Sequence, residues 1–209
     1  MVHDTQAMDE CLAGIDTAEI ESSGVILEEN LEEVTTYSVG QVRVDGMQVS
    51  YWGTQHLTRN NHGAEVYGGS DLATIRGNFD TLAEAAENPE VKLAIAGARA
   101  YDAAAIECFA GFFASRRNYD VVAGTDARGL RRVGVLEQSW RIGGASGAEM
   151  AVLAMFRRDR GLFSARASTV EVYGAAFTPP LRATLLFHGV DPQIGPLTKY
   201  VVSAPHVHA

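Results

Sequence analysis

Residues 42–51, with the sequence VRVDGMQVSY, decide the fold of this chain. Apolar residues alternate with polar ones on both sides of Asp45-Gly46, at positions 42 and 44 before it and at 47, 49 and 51 after it. A period of two is the pattern of a β-strand, and Asp-Gly suits a type I′ turn because that turn needs positive φ at both central residues. The pattern predicts a β-hairpin over residues 34–52, within a hairpin region that spans residues 30–64.

On the C-terminal side of the chain, residues 119–203 are predicted to be a β-rich core. Short apolar segments alternate there with clusters of Gly, Pro, Asp and Thr, which is typical of a β-sandwich or barrel. The predicted strands are 119–123, 131–142, 148–157, 166–174, 181–190 and 197–203. Segment 148–157 is ambiguous, because its Ala and Met residues favour a helix.

A helical stretch is predicted between the hairpin and the core, over residues 70–114. Its first helix begins at Ser70 or Asp71 and ends at Asn88-Pro89, because the residue before proline avoids the α region. The apolar residues at helical spacing in this helix are Leu72, Ile75, Phe79, Leu82 and Ala86. A second helical piece follows in residues 90–114, of which 91–99 could instead be a buried strand.

Together these elements predict a mainly β or α+β fold: an antiparallel β-sandwich or barrel with a central helical stretch. A short helix over residues 4–14 precedes the hairpin, and Gly68-Gly69 is predicted to be a loop. A chain of 209 residues can form one large domain or two small ones, and we expect a single domain over residues 1–209. The chain has two cysteines, Cys11 and Cys108; a disulfide between them is left open, and free thiols are favoured.

The charges of the chain exclude several classes of partner. The net charge is -9, and of the 17 basic residues only Lys92 and Lys199 are lysines. Tight binding to nucleic acid needs a basic stripe, so an acidic chain argues against it. No basic start followed by an apolar run marks a signal peptide, and no apolar run is long enough to cross a membrane. We expect a soluble protein that is virion-borne, or cytoplasmic if it is cellular.

Residues 143–147, with the sequence GGASG, are the strongest candidate for a ligand-binding loop. Glycine-rich loops cradle phosphates where they leave a strand and enter a helix, because free N–H groups and the helix dipole converge there. The segment lacks the Lys-Ser/Thr of a P-loop, and its third glycine is misplaced for a dinucleotide fingerprint. A flexible hairpin connection is the favoured interpretation.

Four histidines could form a metal site. His206 and His208 would place both rings on one side of a strand, where a metal could join them to His56 or His62. The spacing between His56 and His62 matches no known ligand pattern. A His-x-His pair near the end of a sequence is common by chance, so a solvated tail is the favoured interpretation of His206 and His208. Among the carboxylates, Glu149, Glu171 and Asp191 lie near predicted strands, but nothing in the sequence pairs them; we expect solvated side chains.

The remaining polar pattern fits either contacts between copies of the chain or a set of exposed surface arginines. Arginines are enriched at protein interfaces, and acidic residues at 28, 29, 32 and 33 could complement them. The candidate interface residues are Asp45 and Gly46 in the hairpin turn, Trp52 as an outward anchor, and Arg157, Arg158 and Arg160.

The leading functional hypothesis is therefore a structural subunit of a symmetric assembly, without catalysis or cofactor. The best match to this layout is a virion protein of a tailed virus, in its tail tube or neck, whose partners are copies of itself and other virion proteins. The alternative is a small soluble metal-binding enzyme or ligand-binding barrel that uses the histidines.

Overall fold

The computed structural model describes Val2 and residues 4–175 and 177–206. Backbone contacts divide the chain into two compact units. The first comprises Met1–Glu33 and Gly124–Arg132, and the second comprises Val34–Ala123 and Val133–Ala209. The folding of residues 1–209 as a single domain stays a prediction.

The first unit contains two short helices. Helix α1 spans Thr5–Ala13 and begins where Asp4 accepts a hydrogen bond from the Ala7 amide at 2.8 Å. Helix α2 spans Thr17–Ser23, with Asp16 as its N-cap. Asp and other short polar side chains are favoured at this position because they satisfy amides that the helix itself leaves unbonded. The predicted helix over residues 4–14 is confirmed.

Within the described ranges, eight strands form one sheet in the order β5-β4-β1-β2-β3-β6-β8-β7. Their bounds are β1 Glu32–Val44, β2 Met47–Arg59, β3 Glu65–Arg76, β4 Arg116–Thr125, β5 Arg131–Ser139, β6 Ser164–Tyr173, β7 Thr184–Asp191 and β8 Gly195–Pro205. Three helices accompany them: α3 Phe79–Ala85, α4 Pro89–Cys108 and α5 Ser146–Arg158. The predicted antiparallel α+β class is confirmed. The barrel alternative is wrong, because the sheet stays open, with β5 and β7 at its edges.

The hairpin over residues 34–52 is also confirmed. Val44 pairs with Met47 across the turn, and the two residues between them have φ values of 52° at Asp45 and 72° at Gly46. Positive φ at both central positions is the requirement of the type I′ turn. The same pairing continues to Tyr37, so β1 and β2 form one long ladder at the centre of the sheet.

Each face of the sheet carries its own hydrophobic core. On one face, α3 and α4 cover a cluster that includes Val39, Ile75, Tyr119 and Val121. On the opposite face, α5 covers a second cluster, formed by residues that include Val49, Tyr51, Leu72, Val152, Phe156 and Ala167. Neighbouring residues of a strand point to opposite faces, so β3 contributes to both clusters.

The helix predicted to start at Ser70 or Asp71 is wrong over its first turns, because residues 65–76 form β3. Leu72 and Ile75 have helical spacing, yet they lie in different cores on opposite faces of this strand. A central strand that is buried on both faces carries apolar residues at every register, which periodicity cannot distinguish from a helix. Gly68-Gly69 belongs to the same strand rather than to a loop.

The strand predicted at 148–157 is wrong as well, because these residues lie in α5. Ala148, Val152 and Phe156 recur at intervals of four, and all three are fully buried in one cluster. That is the stripe of an amphipathic helix. The GGASG segment therefore joins a strand to a helix, and the favoured hairpin connection is also wrong. Residues 91–99 are part of α4, as the helical interpretation predicts.

None of the helices in the described ranges combines the length and the apolar character that crossing a bilayer requires.

Candidate functional site

The sheet face under α5 changes from apolar to polar along its strands. Tyr51, Leu72 and Ala167 are buried by the helix. Residues two or four positions further on point to the same face, and they are polar: Gln55 on β2, Ser70 on β3 and Thr169 on β6. The helix thus covers half of this face and leaves a hydrophilic surface beyond its N-terminus.

A cavity of about 320 Å³ lies on this hydrophilic surface, and we call it the polar cleft. Its lining comes from five strands and from the loop that leads into α5. The residues are Ser38, Gln55, Tyr67, Ser70, Arg116, Asn118, Asp120, Glu137, Ser139, Arg141, Gly143, Gly144 and Ala145. All of them belong to the second unit.

Arg116 and Glu149 form a buried ion pair in the wall of the polar cleft. Arg116 Nε lies 2.8 Å from Glu149 Oε2, and only 10% and 3% of the two side chains are exposed. Arg116 Nη1 donates to the carbonyl oxygens of Ser139 and Arg141, at 3.1 and 2.6 Å. The guanidinium therefore ties β4 both to α5 and to the loop that precedes it. Glu149, predicted to be solvated, is instead one of the most buried charged residues.

A chain of hydrogen bonds continues from this ion pair across the floor of the cleft. Tyr51 Oη donates to Glu149 Oε1 at 2.5 Å and lies 3.0 Å from Asn118 Oδ1. Asn118 Nδ2 in turn donates to Asp120 Oδ1 at 3.0 Å, and the Ser38 hydroxyl donates to the same oxygen at 3.2 Å. Burial, and next the negative charge of Glu149, raise the pKa of Tyr51 well above its ordinary value, so its hydroxyl stays protonated.

Two charged side chains each direct one hydrogen-bonding atom into the cleft. Arg116 Nη2 and Asp120 Oδ2 have no hydrogen-bond partner within the described part of the chain. No buried side-chain nitrogen or oxygen among the described residues lacks a partner, so Arg116 Nη2 must be reached by solvent. The polar cleft is where that solvent lies. It thus presents one fixed cationic donor and one anionic acceptor.

Tyr67 and Gly144 form one wall of the cleft. A Cβ atom on residue 144 would lie 2.6 Å from the Tyr67 ring, so only glycine lets the loop approach the ring this closely. The Tyr67 hydroxyl lies 2.7 Å from Ser70 Oγ and 3.3 Å from Thr169 Oγ1. Burial raises the pKa of Tyr67, and the phenol is held neutral and in one orientation.

The N-terminus of α5 opens beside this wall. Ala145, its N-cap residue, offers no side chain to the first-turn amides. Ser146 Oγ accepts instead from the amide of Gly143, which precedes the helix. The first amides of a helix carry partial positive charge, which favours an anion nearby. This is the strand–glycine–helix arrangement that the sequence analysis considered for GGASG and set aside.

The structure does not bring together the three candidate metal ligands that it describes, His56, His62 and His206. His56 lies 3.7 Å from Asp71, His62 lies in the turn after β2, and His206 follows β8. His208 lies outside the described residues. Within the described ranges, no three His, Cys, Asp or Glu side chains are grouped closely enough to hold a metal ion. The histidine metal site stays a prediction.

The predicted interface residues lie at three separate places. Asp45 and Gly46 are exposed at the hairpin tip. Trp52 points away from the face of Tyr51, as its register predicts, but it is half-buried against the core under α3 and α4. Arg157, Arg158 and Arg160 are exposed at and just after the C-terminus of α5. None of them lines the polar cleft.

The carboxylates and cysteines that remain from the sequence predictions lie outside the polar cleft. Glu171 accepts from Lys199 Nζ at 2.8 Å, so it is paired rather than solvated. Asp191 accepts from the amides of Gln193 and Ile194, and these bonds lower its pKa. Cys11 and Cys108 are free and exposed, and the favoured prediction of free thiols is confirmed.

No binding site was predicted from the sequence at Arg116, Asn118 and Asp120, although the pattern there carries a signal for one. These polar residues alternate in β4 with the buried apolar positions 119, 121 and 123. The alternation indicates a strand with one apolar and one polar face. Its partners in the cleft are distant in sequence, so their convergence is visible only in the fold.

Comparison with known proteins yields one match. No curated protein and no solved structure matches the chain. A family model described as "Protein of unknown function (DUF3182)" matches residues 1–201. The chain with this open antiparallel sheet and its polar cleft therefore belongs to the family DUF3182.

Proposed function

We propose that the polar cleft binds a small molecule that carries a phosphate or carboxylate group together with hydroxyl or amino groups. The observation that carries this proposal is Arg116, a buried guanidinium whose Nη2 opens to the cleft while Nε and Nη1 are held by Glu149 and the loop. A preorganised guanidinium is suited to carboxylate and phosphate oxygens. The volume, about 320 Å³, is at the lower end of the usual range for ligand sites.

The rest of the lining supports a ligand with hydrogen-bond donors as well as an anionic group. Asp120 Oδ2 can accept from a hydroxyl or an amine, and the Gln55 amide already donates to Ser38, which leaves its oxygen as an acceptor. Arg141 and Glu137 lie at the exposed rim. A cleft with both charges and several neutral polar groups fits a polyfunctional metabolite better than a bare anion.

A thermal-shift screen tests this proposal. The panel contains inorganic phosphate, sugar phosphates, nucleotides, hydroxy acids and amino acids, each with and without Mg²⁺ because two carboxylates also line the cleft. We expect at least one compound to raise the melting temperature of the wild type. Its affinity should fall at least tenfold in Asp120→Asn and in Arg116→Lys, which keeps the buried charge but loses the fork.

Asp71→Asn is the matched control. This exposed carboxylate lies on β3, a strand that also lines the cleft, but it points to the opposite face of the sheet. It should bind like the wild type. A panel without any binder, or a binder that is indifferent to both cleft variants, would contradict the proposal.

A second candidate function, assembly with copies of itself, is favoured by the edge strand β7. Leu185, Leu186 and Phe187 are 51%, 54% and 38% exposed, and Val190 is 73% exposed. Edge strands usually carry charges that prevent pairing with another chain. β5, the opposite edge, carries Arg131, Arg132 and Glu137, whereas the only charged residue of β7 is its last, Asp191. An apolar edge of this kind supports pairing with a second copy.

Sedimentation velocity tests the assembly proposal. We expect concentration-dependent oligomers for the wild type and a shift to monomers for Phe187→Lys, which adds a charge to the apolar edge. Leu136→Lys on the opposite edge strand is the control and should leave the distribution unchanged. A wild type that stays monomeric at high concentration would exclude assembly. The finer proposal of a tailed-virus tail tube or neck predicts rings or tubes in electron micrographs.

A further inference from the structure

A second cavity of about 580 Å³ adjoins the polar cleft, and we call it the apolar cleft. Both cavities are lined by Tyr67, Gly143 and Gly144, so they meet along one shared wall. The Tyr67 hydroxyl contacts Ser70 on the side of the polar cleft and Thr169 on the side of the apolar cleft. Tyr67 therefore lies between two adjoining cavities, with a hydrogen-bonding contact on the side of each.

The two cavities differ in chemistry. Ile142 and Leu186 contribute large apolar side chains to the walls of the apolar cleft. Ile142 is 84% exposed and Leu186 is 54% exposed, although both are large apolar side chains. Exposed apolar groups around a cavity gain free energy when an apolar ligand group displaces water from them.

The charges that line the apolar cleft neutralise each other. Lys199 Nζ lies 2.8 Å from Glu171 Oε1, and the Glu171 side chain is 14% exposed. Among the residues that the structure describes, no further charged one lines this cavity. It therefore offers no net charge that would hold a second ionic group.

We infer that the ligand has two parts: an anionic, polar group in the polar cleft and an alkyl or aryl group that passes Tyr67 into the apolar cleft. This inference rests on the proposed function and specifies the substrate class of the same site. The two cavities together lie within the volume range of sites that enclose metabolite-sized ligands. Tyr67 and Gly144 form the wall that the two cavities share.

Two homologous series of probes test the inference by isothermal titration calorimetry. They are the n-alkyl phosphates from methyl to hexyl and the n-alkyl carboxylates of the same lengths. We expect the affinity of at least one series to rise roughly fourfold with each added methylene, as burial of a CH₂ group predicts. Ile142→Ser should flatten this rise and leave the affinity of the methyl probe unchanged. Ile142 is largely exposed, so this variant should fold.

Leu185→Ser is the matched control, because Leu185 precedes Leu186 on β7 and is similarly exposed but lines neither cleft. It should leave the whole series unchanged. An affinity that does not rise with chain length, or a rise that persists in Ile142→Ser, would overturn the inference while the polar cleft still binds the short probes. If long probes bind through Ile142 but Asp120→Asn and Arg116→Lys change nothing, the apolar cleft stands and the proposed function fails. If no probe binds at any length, both fail.

Discussion

The Glu149 carboxylate accepts from two buried donors, Tyr51 Oη at 2.5 Å and Arg116 Nε at 2.8 Å. Glu149→Ala would leave the Arg116 guanidinium buried without its counter-ion. Breaking a buried ion pair by removing one partner costs about 3–5 kcal/mol. We expect a loss of that size in the free energy of unfolding, measured with urea.

The pair of Asp80 and Arg99 provides the control for this prediction. Their atoms lie at a similar distance, 2.7 Å, but both side chains are more than half exposed. Water screens such a pair, so Asp80→Ala should cost less than about 1 kcal/mol. Equal losses for the two variants would show that burial of the Arg116–Glu149 pair does not set its contribution.

The buried Tyr51 gives the chain a predicted instability in alkali. Its pKa lies well above the ordinary value of 10 because burial and then Glu149 disfavour the phenolate. The folded state therefore keeps a proton that the unfolded state loses above pH 10, and stability falls as pH rises through that region. The slope of unfolding free energy against pH above 10 should be less steep in Tyr51→Phe than in the wild type. Equal slopes would contradict the cause given for the shift.

At the residue scale, the sequence predicts where charges are but not which of them meet. Glu149 and Tyr51 are 98 positions apart, and Arg116 and Glu149 are 33 apart. No local pattern encodes contacts over such separations. The polar alternation of Arg116, Asn118 and Asp120 is the one local signal for the site.

At the scale of elements, the hairpin is the part that local chemistry determines most fully. Gly46 has a φ of 72°, where a Cβ is disfavoured, and nothing lies within 4 Å of the Cβ that an alanine would add. Gly46→Ala should therefore cost about 1–2 kcal/mol through backbone strain alone. Gly134→Ala in β5 is the control: its Cβ would also meet open space, and its φ is not positive. In urea, this control should be neutral or slightly stabilising.

The elements that were mispredicted are those whose burial the sequence does not reveal. β3 lies between β2 and β6 and is covered on both faces, so its apolar residues imitate a helical stripe. Residues 148–157 of α5 were predicted as a strand, because the glycine cluster before them resembles a turn between two strands. The helical pattern is visible in Ala148, Val152 and Phe156, which are spaced by four residues and lie on one buried face of α5.

At the scale of the whole molecule, the order of the strands positions the polar cleft. β4 lies beside β1 rather than beside β3, its predecessor in the chain, and so carries Arg116 and Asp120 next to Ser38. Sequence patterning predicted antiparallel strands and an α+β class, because turn chemistry and periodicity are local. It could not predict this crossover or the open edges, since both depend on long-range pairing.

The proposed binding site in the polar cleft is built around Arg116. The most direct measurement is a ¹H–¹⁵N titration of the chain with the tightest-binding compound of the panel. We predict that the signals of Arg116 Nε–H and of the amides of Gly143, Gly144 and Ser146 shift with one common dissociation constant. The amide signal of Trp52 should not move. Shifts centred near Trp52, or no shift at Arg116, would contradict the claim.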